Sequence, residues 1–248
     1  MRLMVLGHSD SAGEALPPGL TPWPQRLAAR IPAELVHVKF TAFGPRAIDF
    51  ATRKLSEASP DVVIISLSAY PCAVSSVSLS VRRRFGERTE HWYKRIERAF
   101  DRRTFERPGL SGVSNSLARR ISRRFLGATP LATVDEVFEI YDAILRHAAQ
   151  MEGLQVVAMG ETHFSALMQK YDPVLVPSVV DLKRRLRVVA DRYHFAWLDT
   201  EPLLAATGNR EAIFAPDGVH NSPLGHDLYL EWIHAALVEH GFVTPARQ

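Results

Sequence analysis

Five short apolar runs, separated by longer segments with helical spacing, constrain the fold of this chain more than any other feature. Such short runs are typical of strands whose two faces are both buried. Strands that alternate with helices usually form a parallel sheet with helices packed on both faces, so the pattern predicts an α/β fold. The runs lie at Leu3–Leu6, Leu35–Phe40, Val62–Leu67, Leu154–Met159 and Phe195–Leu198.

Local motifs place helices between these runs. Thr133 and Glu136 have the spacing of a capping box, in which each side chain accepts the backbone N–H of the other residue. Val137, Tyr141 and Ile144 then recur on one face, which predicts a helix after the box. Four further segments have apolar residues at helical spacing: Trp23–Arg30, Ile48–Ala58, Val180–Tyr193 and Leu228–Val238.

The composition favours one globular domain. The chain has 248 residues, of which 46% are hydrophobic, and no shift in composition divides it, so we expect a single domain over residues 1–248. The N-terminus lacks the features of a secretory signal, and no segment holds the roughly 20 consecutive apolar residues that cross a membrane. The one cysteine, Cys72, is expected to be a small buried apolar residue and fits a reducing compartment. We therefore expect a cytoplasmic protein.

The segment from about residue 73 to residue 128 departs from the strand and helix alternation. Residues 82–128 contain 14 Arg or Lys and 5 Asp or Glu, a local charge of +9 in a chain whose net charge is +3. Two apolar stripes at helical spacing predict two basic helices around the loop Pro108–Gly112. The stripes are Trp92, Ile96, Ala99 and Phe100, and then Leu117, Ile121 and Phe125.

The position of this basic insertion predicts a lid or substrate-binding cap, because α/β sheets keep their active sites where such connections leave the strands. Its arginines could instead form only a solvated helical face, or bind an anionic substrate group such as a phosphate, a carboxylate or coenzyme A. Peripheral contact with an anionic membrane is a further alternative. Nucleic acid is not an expected partner, because basic charge alone gives nonspecific attraction and no known binding motif accompanies it.

Two short motifs at opposite ends of the chain predict one catalytic site. The first apolar run leads into Gly7-His8-Ser9, which places Ser9 in a turn at the edge of the sheet, and Asp217-x-x-His220 precedes the final predicted helix. A serine hydroxyl needs an imidazole to accept its proton, and a carboxylate to hold that imidazole in the required tautomer. Ser9, His220 and Asp217 supply these three groups.

With these motifs the chain resembles the SGNH hydrolases, also called the GDSL esterase and lipase family. The family has a Gly-Asp-Ser motif after its first strand, from which this sequence differs by His8 in place of the aspartate. The resemblance implies a three-layer α/β/α sandwich in which Ser9 is the nucleophile, His220 the base and Asp217 the acid that orients it. It also implies that Gly44, after the second predicted strand, and the backbone N–H of Ser9 hold the oxyanion.

The third family motif, Gly-x-Asn-Asp, is absent, and Tyr70 takes the position of its oxyanion-binding asparagine. A phenol can donate one hydrogen bond to an oxyanion, so Tyr70 is a further predicted oxyanion donor. The residue types equally suit a packed aromatic at Tyr70 and a turn glycine at Gly44. His8 could pair with Asp10, line the pocket or point away from it, and we include His8, Asp10 and Tyr70 among the predicted substrate-binding residues.

This chemistry needs no metal ion and no organic cofactor. His8 and Asp10 suggest a metal site with His163, His226 or His234, but no His-x-x-x-His or clustered carboxylate pattern supports one. We therefore predict neither a metal nor a cofactor.

The sequence thus predicts a serine ester hydrolase that forms an acyl-serine intermediate on a small-molecule, carbohydrate or lipid ester. The same site could transfer the acyl group to another hydroxyl or to an amine, since similar folds support both reactions. A protein that has lost catalysis and binds a ligand or another protein is an alternative from a different class. A lipase that works at a membrane surface is a further one.

Overall fold

The computed structural model describes residues 1–95, 125, 127–172 and 174–244. Five strands form one parallel sheet, and two short strands pair antiparallel with each other. The strands in chain order are β1 (Arg2–Gly7), β2 (Glu34–Lys39), β3 (Val62–Leu67), β4 (Ser75–Ser76), β5 (Thr129–Pro130), β6 (Gln155–Gly160) and β7 (Ala196–Asp199). The parallel sheet has the order β2-β1-β3-β6-β7. Each predicted strand is present within two residues of its expected bounds.

The capping box forms as predicted. The Thr133 hydroxyl accepts the Glu136 N–H at 3.1 Å, and a Glu136 carboxylate oxygen accepts the Thr133 N–H at 2.7 Å. The helices in chain order are α1 (Ser9–Ala12), α2 (Trp23–Arg30), α3 (Ala47–Ala58), α4 (Tyr70–Ala73), α5 (Val77–Phe85), α6 (Val134–Ala149), α7 (Ala166–Tyr171), α8 (Leu175–Arg192), α9 (Thr200–Ala206) and α10 (Pro223–Glu239).

Two helices begin five residues, about one and a half turns, before their predicted start. In α8 the first turn contains Pro177. Proline has no backbone N–H, and it is tolerated there because N–H groups in a first turn have no acceptor within the helix. In α10 the hydroxyl of Ser222 accepts the Gly225 N–H at 3.2 Å, and Pro223 occupies the first helical position. Proline and glycine therefore lie inside helices here, where the sequence pattern had suggested loops.

The sheet is covered on both faces, which is why its strands are apolar without alternation. Leu3 and Val5 of β1 pack in one cluster with Trp23 of α2 and Ile233 of α10. Met4, between them, points to the opposite face and is also fully buried. These layers confirm the α/β sandwich.

The chain divides into two compact units, Met1–Ala73 with Ala132–Gln248, and Val74–Leu131. The first contains the parallel sheet. In the second, β4 pairs with β5, and α5 is followed by helical residues 87–95. The expectation of one domain that carries an insertion at about 73–128 stays a prediction. Outside the described residues lie the predicted loop Pro108–Gly112 and the apolar positions Ile96, Ala99, Phe100, Leu117 and Ile121.

Within the described ranges, no helix combines the length and the apolar composition that a membrane span needs.

Candidate active site

The carboxyl ends of the parallel strands lie at one edge of the sheet, and candidate site residues follow four of them. Ser9 follows β1, Gly44 follows β2, Tyr70 follows β3 and Glu161 follows β6. The chain runs from β1 to β2 on one side and returns to β3 on the other side of β1. Ligands of open α/β sheets bind in the crevice at such a reversal. The topology therefore places the turn that carries Ser9 at the expected ligand-binding edge.

Ser9 is the first residue of α1, which packs tightly on the end of β1. A Cβ atom at Gly7 would lie 2.2 Å from the Ser11 hydroxyl oxygen, so only glycine fits at this position. Ser11 is buried, and its hydroxyl donates to the His8 carbonyl at 2.8 Å and lies 2.9 Å from Nε2 of His37. The glycine of the first motif thus permits the close approach that sets the direction of the Ser9 turn.

Asp217 and His220 form the hydrogen bond that the sequence predicted. Nδ1 of His220 lies 2.6 Å from Oδ2 of Asp217. The other carboxylate oxygen accepts the N–H groups of Val219 and His220 at 2.9 and 3.0 Å. Partial burial opposes ionisation of Asp217, but these hydrogen bonds outweigh it and lower its pKa to about 2. Asp217 is therefore a fixed anion across the physiological pH range.

The same contact tunes the imidazole. The hydrogen bond that His220 donates to Asp217 raises the pKa of His220 above its ordinary value of 6.5, although partial burial opposes the rise. The negative charge of Asp10 acts on His220 in the same direction. Both carboxylates thus favour the imidazolium that forms when His220 takes up a proton.

The turn after β1 and the loop before α10 are in direct contact. The backbone N–H of Asn221 donates to Oδ1 of Asp10 at 2.8 Å, across 211 residues of sequence. Asp10 follows Ser9 and Asn221 follows His220, so this bond joins the immediate neighbours of the predicted nucleophile and base. Within the described part of the chain, no hydrogen bond links the Ser9 hydroxyl itself to His220.

Tyr70 and Gly44 are the predicted oxyanion donors outside the Ser9 turn. Tyr70 begins α4 with its side chain 40% exposed, and its N–H donates to the Ser68 hydroxyl at 3.2 Å. Partial burial and the charge of Asp217 raise the pKa of the phenol, which therefore keeps its proton as a donor. Gly44 has φ of +88°, a left-handed conformation that favours glycine and fits the turn reading. Their oxyanion roles stay predictions.

Glu161 is the site residue that sequence reasoning missed. His8 lies between two carboxylates: its Nδ1 is 3.5 Å from Asp10, and its Nε2 is 3.7 Å from Glu161. All three side chains are at most 16% exposed, which leaves little surface for contact with a substrate. The substrate-binding roles of His8 and Asp10 therefore stay predictions. The one signal in the sequence that could have identified Glu161 is its position. It is the first residue after β6, at the same edge of the sheet where Ser9 follows β1.

Glu161 is held by the loop after β3. One carboxylate oxygen accepts the Ala69 N–H at 2.6 Å, and the Ser68 hydroxyl lies 3.2 and 3.3 Å from the two oxygens. Burial dominates and raises the pKa of Glu161 to about 8, against the effect of the Ala69 hydrogen bond. Burial also lowers the pKa of His8, despite the charge of Asp10. The cluster therefore disfavours full ionisation of its members.

A recess adjoins this cluster. His8, Asp10 and Glu161 line it together with the aromatic side chains of Trp23, Phe164 and Tyr229. Asn221 also lines it, and its buried Nδ2 has no hydrogen-bond partner. The recess therefore offers one unused amide donor beside the acidic side chains.

The other histidines considered for a metal site lie elsewhere. Nδ1 of His163 is 3.5 Å from Glu201, and Nδ1 of His226 accepts the Trp23 N–H at 3.3 Å. Among the described residues, the group with metal-ligand spacing is His8, Asp10 and Glu161. Cys72 is buried, and burial raises its thiol pKa to about 12, which suits a packing role.

Comparison with known proteins supports the fold. No protein-family model and no curated protein matches the sequence. A solved lipase/acylhydrolase from Enterococcus faecalis superposes with a TM-score of 0.61 at 14% identity and covers 100% of both chains. The chain shares the fold of this solved structure.

Further solved structures agree. An acetyl xylan esterase from Geobacillus stearothermophilus has a TM-score of 0.56 at 13% identity and covers 99% of this chain and 97% of its own. A GDSL-like lipase structure from Parabacteroides merdae has a TM-score of 0.52 at 10% identity and covers 94% of both chains. The fold that the SGNH resemblance implied is thus confirmed, whereas activity has to be argued from the site.

Proposed function

We propose that the protein is a serine ester hydrolase that works through an acyl-serine intermediate. The observation that carries the proposal is the bond between Asn221 and Asp10, which brings the loop of the Asp217–His220 pair to the turn of Ser9. A serine beside an imidazole that is itself held by an ionised carboxylate is the arrangement that activates a hydroxyl at neutral pH.

In this mechanism the Ser9 hydroxyl oxygen attacks the ester carbonyl carbon, and His220 Nε2 takes the hydroxyl proton. Asp217 holds Nδ1–H and stabilises the imidazolium. Backbone N–H groups of Ser9 and Gly44, with the Tyr70 hydroxyl, stabilise the oxyanion. His220 then protonates the leaving alcohol, and a water molecule, deprotonated by His220, releases the acid from Ser9.

The proposed substrate is a small-molecule, carbohydrate or lipid ester. The fold is shared with proteins named as an acetyl xylan esterase and as lipases. The first name denotes a carbohydrate ester as substrate, and the second a lipid ester. Esters of p-nitrophenol with graded acyl length distinguish these classes. A preference for acetate supports a carbohydrate deacetylase, and a preference for long chains supports a lipid substrate.

The decisive experiment is labelling with a fluorophosphonate probe. We expect the wild-type protein to be labelled and Ser9→Ala to lose both labelling and ester hydrolysis, because the attacking oxygen is gone. Ser56→Ala is a matched control, since Ser56 lies exposed on α3 and bonds to His147. A folded wild-type protein that takes up no probe would instead favour a non-catalytic binding protein.

A further inference from the structure

The row of Asp10, His8 and Glu161 is unexplained by the proposed mechanism. Its three members come from the turn after β1 and the loop after β6, and each is largely buried. A buried ionisable group is costly unless it is paired or changes its protonation state. The row therefore requires a specific distribution of protons.

The geometry argues against a metal chelate at the row. Each ring nitrogen of His8 faces a different carboxylate, and one ion could bind only one of those nitrogens. Each carboxylate already accepts a backbone N–H on one oxygen, from Asn221 at Asp10 and from Ala69 at Glu161. At 3.5 and 3.7 Å the two contacts of His8 are longer than hydrogen bonds. A continuous row forms when both shorten, with Glu161 donating to His8 Nε2 and His8 Nδ1–H donating to Asp10.

The row also connects three loops of the candidate site. At one end Asp10 holds the loop of His220 through Asn221. In the middle His8 precedes Ser9. At the other end Glu161 holds Ala69, one residue before Tyr70.

We propose that Glu161 is a positioning residue which, as an uncharged carboxylic acid, fixes the loop after β3 to the Ser9 turn through His8. The inference rests on the proposed function only for its effect on rate; the protonation state of Glu161 can be measured without turnover. In this state the row carries one negative charge, on Asp10, where the hydrogen bond from the Asn221 N–H favours the anion, although burial raises the pKa of Asp10. That charge favours protonation of His220.

Burial and the charges around Glu161 favour the uncharged form, although the hydrogen bonds from Ser68 and Ala69 favour the anion. The cation that acts on it is Lys183, whose ammonium is bonded to Asp199 at 2.8 Å and lies 3.4 Å from the Glu161 backbone carbonyl. The other titratable groups near enough to interact electrostatically with Glu161 are neutral or acidic, so none of them stabilises a negative charge on it. They are His8, Asp10, Cys72, Tyr141 and Tyr229.

Ionisation of Glu161 would add a second negative charge near the nucleophile turn. That charge would oppose the developing oxyanion, so we expect kcat to fall as the pH rises through the pKa of about 8. A glutamine can replace an uncharged glutamic acid here, because its amide donates to His8 and its carbonyl accepts from Ala69. It cannot replace an anion.

The test compares Glu161→Gln and Glu161→Ala over pH in chelator-treated buffer. We expect Glu161→Gln to keep kcat within about threefold at pH 7 and to lose the fall at high pH. Glu161→Ala should lower kcat by about 10- to 100-fold with little change in KM, because loop positioning is lost. Glu201→Gln is the matched control: Glu201 is also largely buried but faces Arg210, so this variant should keep the high-pH fall and lose thermal stability.

A second readout needs no activity. With carbon-13 at the glutamate side-chain carboxyl, NMR should find one protonated glutamate at pH 7 in the wild-type protein, absent in Glu161→Gln and titrating near pH 8. If fluorophosphonate labelling fails while this resonance is present, the proposed function falls and the Glu161 assignment stands. If Glu161→Gln does not fold, absence of the resonance from Glu161→Ala assigns it to Glu161 instead.

Three results would overturn the inference. One is an ionised Glu161 at pH 7. Another is a folded Glu161→Gln whose kcat falls more than about 100-fold, which would mean that the negative charge is required. The third is stoichiometric Zn²⁺ binding by the wild-type protein, measured by calorimetry and lost in Glu161→Gln, which would make the row a metal site.

Discussion

At the scale of single residues, Asp217 gives His220 its acid–base properties. A general base must be neutral to accept a proton, so kcat/KM should rise with pH as His220 loses its proton. The hydrogen bond of 2.6 Å to Asp217 raises that pKa above 6.5. The acid limb of the wild-type profile should therefore lie above pH 6.5.

Asp217→Asn should move this limb to lower pH and lower kcat by up to about 10⁴-fold, because an amide removes the anion and favours the wrong imidazole tautomer. The measurement is kcat/KM against pH with a p-nitrophenyl ester. Asp227→Asn is the control, since Asp227 pairs with Arg26 on the exposed surface and should leave the profile unchanged. An Asp217→Asn variant with an unmoved acid limb would contradict the assignment.

Residue motifs account for part of the site but not for Glu161. The spacing of Asp217 and His220 predicted their hydrogen bond, because the two residues between them let the carboxylate fold back on the ring. No comparable local spacing marks Glu161, whose partner His8 lies 153 positions earlier in the sequence. A single acidic residue at a strand end can be assigned to the site only when the strand order is known.

At the scale of elements, Gly218 joins the loop of Asp217 and His220 to the start of α7. It has φ of +74°, and a Cβ atom there would lie 2.3 Å from the hydroxyl oxygen of Ser165, which caps that helix. Its carbonyl also accepts the Ser165 N–H at 3.2 Å. Because Gly218 lies between Asp217 and His220, this contact fixes the loop that carries both.

Gly218→Ala should therefore reduce both stability and activity. Gly153→Ala is the matched control, because Gly153 has nearly the same φ, +73°, but open space at its Cβ position. The left-handed backbone should cost each variant about 1–2 kcal/mol of unfolding free energy. The clash adds to that cost only in Gly218→Ala, which should also lose kcat. Urea unfolding and ester hydrolysis measure the two effects, and equal behaviour of the variants would refute the role of the contact.

Helix prediction was strongest where a cap is encoded locally. Thr133 and Glu136 satisfy each other, so the start of α6 follows from four residues alone. The start of α10 did not follow in this way, because Ser222, Pro223 and Gly225 each also suit a loop. Packing of the helix against the sheet decides between the two, and a sequence pattern does not contain that packing.

At the scale of the whole molecule, the apolar runs predicted a parallel sheet but not its strand order. Burial on both faces makes every strand apolar, so nothing in the runs themselves distinguishes a central strand from an edge. The observed order brings β1 between β2 and β3. That order places the Ser9 turn beside the loops that follow both neighbours.

The division into two units leads to a prediction about the basic insertion. Unit 1 holds the complete parallel sheet and every candidate site residue, and within it the Ala132 N–H donates to the Pro71 carbonyl at 3.0 Å. The two chain ends that flank the insertion are thus adjacent. Replacing residues 74–131 by a short glycine and serine linker should leave a cooperatively unfolding protein.

The same replacement tests whether the insertion attracts anionic substrates. It lowers the formal net charge from +3 to about −6, because the insertion carries a charge of +9. KM for an ester with a carboxylate group should then rise and lose its dependence on salt, whereas KM for its neutral analogue should change little. Equal changes for both esters would mean that the insertion does not act through its charge. An unfolded product would mean that unit 1 depends on the insertion for its stability.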